Sequence, residues 1–322
     1  DPLMFKIAAA QFAPVYLNKE ATVKKACSII ADAGKLDIDL LVFPEAFLPG
    51  YPAWVWHMPA GKTKDLRPPF AQLLANSVTV PGPEIRRVQE AAAAADVGLA
   101  FSVNEINGSG SGSTLYNTIV YIDRDGHLLG KHRKMIPTTG ERLVWAQGDG
   151  SDLQVHDFGF AQVAGLVCWE NYMPLARYTL NARGAEVHVA PTWDRGGPWV
   201  ASMQHIAKEG RCYVVGCAPR MELSDIPDSM PYKQDYLASA GTEFHPGGSV
   251  IVDPDGKIIA GPLLGEEGFL IAEAHREVIQ GSRFQLDTAG HYARPDVFEL
   301  IVHEKKTPFL QTEEEDPRDP VT

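Results

Sequence analysis

Cys168 stands where an apolar run, Ala164-Gly165-Leu166-Val167, breaks and a helix-like stretch, Trp169-Glu170-Asn171-Tyr172-Met173-Pro174, follows at once. The thiolate is the reactive form of cysteine. A strand-to-helix junction, with its free backbone N–H groups and helix dipole, is expected to lower the pKa of such a thiol. A free cysteine on its own is more often buried and inert, so the assignment needs partners. Leu40 to Phe43 is an apolar run too short for a helix, and it delivers Glu45 directly after Pro44. Gly130 to Pro137 carries Lys131, His132, Arg133 and Lys134 beside a strand-like run, and period-two spacing puts His132 and Lys134 on one face. Cysteine, glutamate and lysine at three strand ends make a working set. The thiol attacks an electrophilic carbon, Glu45 moves the proton, and Lys134 stabilises charge on the atom bound to that carbon. His132 is the rival base for the thiol, but no papain-like or caspase-like signature surrounds Cys168, and a histidine beside two cations reads as structural.

The elements that must position these residues alternate. Lys6 to Phe12 reads as a strand, and Lys19 to Ala33 as a helix with Val23, Cys27 and Ile30 at helical spacing. A strand over Ile38 to Phe43, a helix over Pro83 to Ala95 opened by proline, and a strand over Gly98 to Glu105 follow. The pattern argues for an α/β layered architecture. Gly108 to Ser113 resembles a linker, yet it separates two strand-like runs and is read as a hairpin loop. Two Asp-Gly turns, Asp125-Gly126 and Asp255-Gly256, each sit between apolar runs and signal β-hairpins. The stretch from Pro52 to Pro81, with Trp54, Trp56 and His57, has weak periodicity and is expected to lie near the mouth of the site.

Three blocks, Phe43-Pro44-Glu45-Ala46-Phe47-Leu48-Pro49-Gly50-Tyr51-Pro52, His132-Arg133-Lys134 and Cys168-Trp169-Glu170-Asn171-Tyr172-Met173-Pro174, resemble the catalytic blocks of the true nitrilase branch of the nitrilase superfamily of carbon–nitrogen hydrolases. Asp287 to Asp296 is similar to that branch's C-terminal block, and the likeness runs from about Phe5 to about Leu300. The resemblance implies a four-layer α-β-β-α sandwich with one hairpin in each sheet. It also implies a carbon–nitrogen hydrolase domain over residues 1–300 and a C-terminal extension over 301–322, a candidate oligomer contact. It makes Glu141 an additional site glutamate near Lys134, where the residues alone favour a surface carboxylate paired with Arg142.

The implied reaction takes an organic nitrile to the carboxylic acid and ammonia through a cysteine thioimidate and then a thioester. The backbone N–H of Trp169 would help Lys134 stabilise the developing charge. Trp193, after a strand over Glu186 to Val189, and Tyr51 could line the substrate pocket or belong to the core. Together with Trp54, Trp56 and Trp169 they favour an aromatic or arylaliphatic nitrile. Glu170 and Asn171 are read as capping residues or substrate contacts alike. An amidase or a cyanide-hydrolysing member of the superfamily is the enzymatic alternative. A non-catalytic assembly protein is the other, disfavoured by the intact Glu45, Lys134 and Cys168 set. The family likeness also implies a homo-oligomer of dimers stacking into spirals.

Composition excludes other classes. The 322 residues, 45% apolar, suffice for a full core, and 29 cations against 41 carboxylates give a net charge of −12, which disfavours nucleic acid and anionic membranes as partners. No run approaches the roughly 18 apolar residues of a membrane span, and the first 30 residues lack a signal-peptide pattern, so a cytoplasmic enzyme is expected. Cys27, Cys168, Cys212 and Cys217 form no CxxC pair or disulfide framework, and Cys212 and Cys217 lie in a strand-like run without partnering histidines, read as core and not zinc ligands. The acidic stretch from Lys305 to Thr322 reads as a solvated tail. With no phosphate loop, metal-ligand set or dinucleotide fingerprint, no cofactor is expected.

Overall fold

The computed structural model describes residues 4–57, 61–230, 233–234 and 242–306. Alternation of side chains along the strands builds two sheets that share an apolar interior. The first runs in the order β13 (Gly268–His275), β1 (Met4–Gln11), β2 (Leu40–Val42), β3 (Gly98–Ile106), β4 (Leu115–Ile122) and β5 (Leu128–Arg133). The second runs β10 (Arg220–Glu222), β11 (Glu243–Val252), β9 (Tyr213–Cys217), β8 (Val187–Pro191), β7 (Gln162–Gly165) and β6 (His156–Asp157), with β12 (Ile258–Leu264) paired to β11. Odd-numbered Phe5, Ile7 and Ala9 of β1 face inward with Leu40, Val42 and Tyr121, against Val163, Val187, Val189 and Val215 of the other sheet.

The opposite faces are covered by helices. Ala8 and Ala10, with Leu41, Leu99 and Phe101, pack under α1 (Lys19–Gly34) and α3 (Pro83–Ala95) through Val23, Ile30, Ile85 and Val88. On the other side, α4 (Pro174–Ala182) and α5 (Gly197–Gly210) cover Ala164, Ala190 and Val214 with Leu180, Trp199, Met203 and Ile206. Four layers, helix, sheet, sheet, helix, result, as the resemblance implied. Cys212 lies under α5 and Cys217 between the sheets, both as core residues.

The hairpins fall as expected. The Asp125-Gly126 turn joins β4 to β5 in the first sheet and the Asp255-Gly256 turn joins β11 to β12 in the second. The Gly- and Ser-rich segment joins antiparallel β3 and β4, so it is a hairpin loop. The weakly periodic stretch after Pro52 forms two short 3-10 turns and α2 (Arg67–Asn76). Residues 58–60 of that stretch and 307–322 of the acidic tail lie outside the described residues.

Candidate active site

The C-terminal ends of β2, β5, β7 and β8 deliver one group each to a common site, the position where α/β sheets typically hold their ligands. Glu45 leaves β2 after Pro44 and is almost fully buried. Its Oε1 accepts from Asn117 Nδ2 at 2.8 Å and Lys134 Nζ at 3.0 Å, and its Oε2 accepts from the Trp193 N–H at 2.7 Å. Lys134, at the end of β5 and 1% exposed, donates also to Glu141 Oε2 at 2.6 Å. Glu141 sits in a 3-10 turn, Thr139–Leu143, and accepts further bonds from Tyr51 Oη and the Thr138 N–H, each at 2.7 Å. It is therefore not a surface partner of Arg142, whose Nε donates to the Pro137 carbonyl.

Cys168 opens a 3-10 turn, Cys168–Tyr172, three residues past β7, with φ of +52°. A non-glycine residue in the left-handed region costs ~1–3 kcal/mol and persists only where its surroundings enforce it. Here they do. The Val167 N–H donates to Glu170 Oε2 at 2.8 Å, and Asn171 Nδ2 donates to the carbonyls of Leu166 (2.8 Å) and Cys168 (2.9 Å). His188 Nε2 in turn donates to Asn171 Oδ1 at 2.6 Å. Glu170 and Asn171 thus serve the turn and do not line the cavity. Gly165 lets β7 approach β8 at this end, because a Cβ there would fall 2.2 Å from the Val189 carbonyl oxygen.

The electrostatics correct one expectation. The junction does not lower the Cys168 pKa: burial pushes the thiol up, Glu45 adds to the rise, and Lys134 opposes it only in part. A single 3-10 turn has too few aligned peptides to offset the desolvation of a thiolate. Cys168 rests as a thiol, with the Thr192 hydroxyl donating to Sγ at 3.2 Å. Burial likewise raises Glu45, to about 7, with Lys134 opposing and Glu141 reinforcing the shift. Burial alone would lower Lys134, but the Glu45 and Glu141 carboxylates raise it, so it is held as an ammonium.

A cavity of about 340 Å³ opens onto Cys168 and Glu141 and is walled by Tyr51, Trp56, Trp169 and Trp193, with Arg195 and Asp194 also lining it. Tyr51 and Trp193 stack with ring centroids 4.5 Å apart and serve as core and wall at once. Trp169 is half exposed, and its ring N–H donates to Asp194 Oδ2 at 2.7 Å. Trp54 is a core residue that does not line the cavity, so the aromatic wall is smaller than the sequence suggested. His132 contacts carboxylates, not the thiol. Among the described residues one possible metal-ligand cluster, Asp123, Asp125 and His127, lies on the β4–β5 turn and does not line the cavity.

Trp56 lines the cavity mouth as the sequence suggested, whereas Asn117 and Thr192 are not evident as site residues from the sequence. Asn117 had a signal, an amide inside the mostly apolar strand β4; Thr192 had only its place beside Trp193.

The chain is similar to known proteins along most of its length. The profile of the carbon–nitrogen hydrolase family matches residues 6–284. The chain belongs to the carbon–nitrogen hydrolase family. It is 40% identical over 304 residues to an aliphatic nitrilase of Sinorhizobium fredii, covering 94% of this chain and 96% of that protein. A bifunctional nitrilase/nitrile hydratase of Nicotiana tabacum is 37% identical over 93% of this chain and 86% of its own length. Nitrilase 3 of Arabidopsis thaliana is 37% identical over 98% and 92%. Within the carbon–nitrogen hydrolases the chain thus sits with the nitrilases. The fold is also that of Saccharomyces cerevisiae Nit3, a nitrilase-superfamily member, with a TM-score of 0.70 at 21% identity over 91% of this chain and 98% of that one.

Proposed function

We propose that this carbon–nitrogen hydrolase is a nitrilase that converts an organic nitrile to its carboxylic acid and ammonia, with Cys168 as nucleophile, Glu45 as proton carrier, Lys134 as electrostatic stabiliser and Glu141 as the group that positions lysine and substrate. The observation that carries the reading is the buried ammonium of Lys134 held between Glu45 and Glu141 beside a thiol in a strained turn. Sulfur adds to the nitrile carbon, the thiol proton passes to Glu45, and Glu45 returns it to nitrogen, giving a thioimidate. Glu45 then takes a proton from water as it adds. That proton passes to nitrogen, the proton of the new hydroxyl follows as the carbonyl forms and the C–N bond breaks, and ammonia leaves carrying both water protons and the former thiol proton while a thioester remains. A second water, activated the same way, releases the acid and restores the thiol. The sum is one nitrile and two waters giving one acid and one ammonia. Lys134, with the Trp169 amide at the first turn, stabilises charge on nitrogen and then on oxygen.

The walls of Tyr51, Trp56, Trp169 and Trp193 favour an aromatic or arylaliphatic substrate. Four unpaired cysteines suit a reducing, cytoplasmic setting, and among the described residues no helix is long and apolar enough to cross a membrane. The hydrolase unit is taken as residues 1–300, with 301–322 as an extension toward an oligomer contact in a homo-oligomer of spiral-stacked dimers. The test is turnover of phenylacetonitrile, benzonitrile, an aliphatic dinitrile, cyanide and a matched amide by wild type and Cys168→Ala, quantifying ammonia, acid and amide. Acid and ammonia from nitriles, absent in the variant, are expected. Turnover of the amide alone would overturn nitrile hydrolysis in favour of an amidase.

A further inference from the structure

Beside the reacting groups lies a buried ionic cluster that the reaction does not use. His132, on β5 and 1% exposed, has Nδ1 3.1 Å from Asp152 Oδ1 and Nε2 2.9 and 3.0 Å from the two oxygens of Glu170. A neutral imidazole has one N–H and one lone pair, and the lone pair would face a carboxylate; only the imidazolium satisfies both neighbours. The same carboxylates hold main-chain amides. Glu170 accepts from the Met135 N–H at 2.8 Å and the Val167 N–H at 2.8 Å, and Asp152 accepts from the Arg133 N–H at 2.9 Å.

The amides on both sides of Lys134 and the amide preceding Cys168 are therefore tied to one cation. We propose that the His132 imidazolium is a positioning group which, through Glu170 and Asp152, fixes the end of β5 carrying Lys134 against the turn carrying Cys168. This inference rests on the roles given to Lys134 and Cys168. Without the cation, the two carboxylates repel or one takes up a proton, and a protonated Glu170 accepts less well from the two amides it joins. The lysine and the sulfur then lose register, which slows the chemical step without altering the aromatic walls. A displacement near 1 Å can cost on the order of 10²-fold in rate.

The experiment compares kcat and KM for wild type, His132→Gln, Glu170→Gln and the double variant, on whichever compound of the nitrile and amide panel wild type turns over and Cys168→Ala does not. Folded fraction is followed by circular dichroism and active-site content by titration of the Cys168 thiol. The expected result is a fall in kcat of about 10- to 100-fold per active site in each single variant, KM within about threefold, and a double variant no slower than the worse single, since both remove one device. Unchanged kcat per active site, or additive losses, would overturn the proposal. If His132→Gln does not fold, Asp152→Asn decides: it keeps Glu170 and the cation, and should lower kcat several-fold at constant KM, whereas an unaltered kcat contradicts the brace. Inactivity of wild type on nitriles but not on the amide bears on the proposed substrate, not on the brace.

Discussion

Two carboxylates share one ammonium around Lys134, so the buried site carries an excess negative charge whenever both are ionised, and proton uptake relieves it. Burial raises Glu45 to about 7, so its protonation relieves that excess as pH falls through neutrality. The sign follows from its role: Glu45 must be ionised to accept the thiol proton, so kcat/KM should rise with pH through about 7 and not fall. A pH–rate profile flat between pH 5 and 8 would contradict this. Glu141 accepts from three donors, Lys134, Tyr51 and the Thr138 amide. Glutamine has one acceptor oxygen and would turn an N–H against a donor. Glu141→Gln should therefore lower kcat roughly 10- to 100-fold, equivalent to the ~1–3 kcal/mol of an unmatched buried polar group, and unchanged kinetics would return Glu141 to a structural role. Glu45, Lys134 and Cys168 were legible in sequence because each interrupts a strand-like run with a reactive side chain. The thiol's resting state was not, because it depends on burial and on Glu45, 123 positions away, through contacts no local pattern encodes.

At the scale of elements, the strands and the two Asp-Gly hairpins were legible because period-two alternation and turn chemistry are local. The segment after Cys168 was read as the start of a helix; it is a 3-10 turn that breaks at Met173 before α4 begins at Pro174, since proline suits a first helical position but supplies no N–H to extend the earlier turn. Asn171 and Glu170 looked equally able to cap or to touch substrate. Only the fold shows Asn171 bonded to two carbonyls of the turn and to His188. The close approach of β7 to β8 makes Gly165 a sensitive position. Gly165→Ala should destabilise by about 1–3 kcal/mol through the clash with the Val189 carbonyl, read as a lowered Tm, and should lower activity as the Cys168 turn shifts; an unaltered Tm would mean the strands separate freely.

For the whole molecule, the alternating apolar faces specified that sheets and helices stack in layers, and the inter-sheet interior of Ile7, Val42, Val189 and Val215 realises it. The surface of the proposed oligomer contact is not legible in sequence, because an interface is apolar surface left outside the core rather than a periodic pattern within it. Leu175, Phe284, Tyr292, Phe298 and Ile301 are all more than half exposed in the single chain, a load of apolar surface that self-association would cover. Size-exclusion chromatography should accordingly find assemblies well above the 35.2 kDa chain, and a monomer alone would contradict the oligomer proposal.

Hydrolysis by the proposed route requires the nitrile carbon to become covalently bound to Cys168. Intact-mass spectrometry of wild type quenched during turnover of benzonitrile reads that bond. An added mass equal to the thioimidate or the thioester is expected, mapped by peptide digestion to Cys168 and absent in Cys168→Ala. Continued turnover with no adduct, or hydrolysis that persists in Cys168→Ala, would contradict that route.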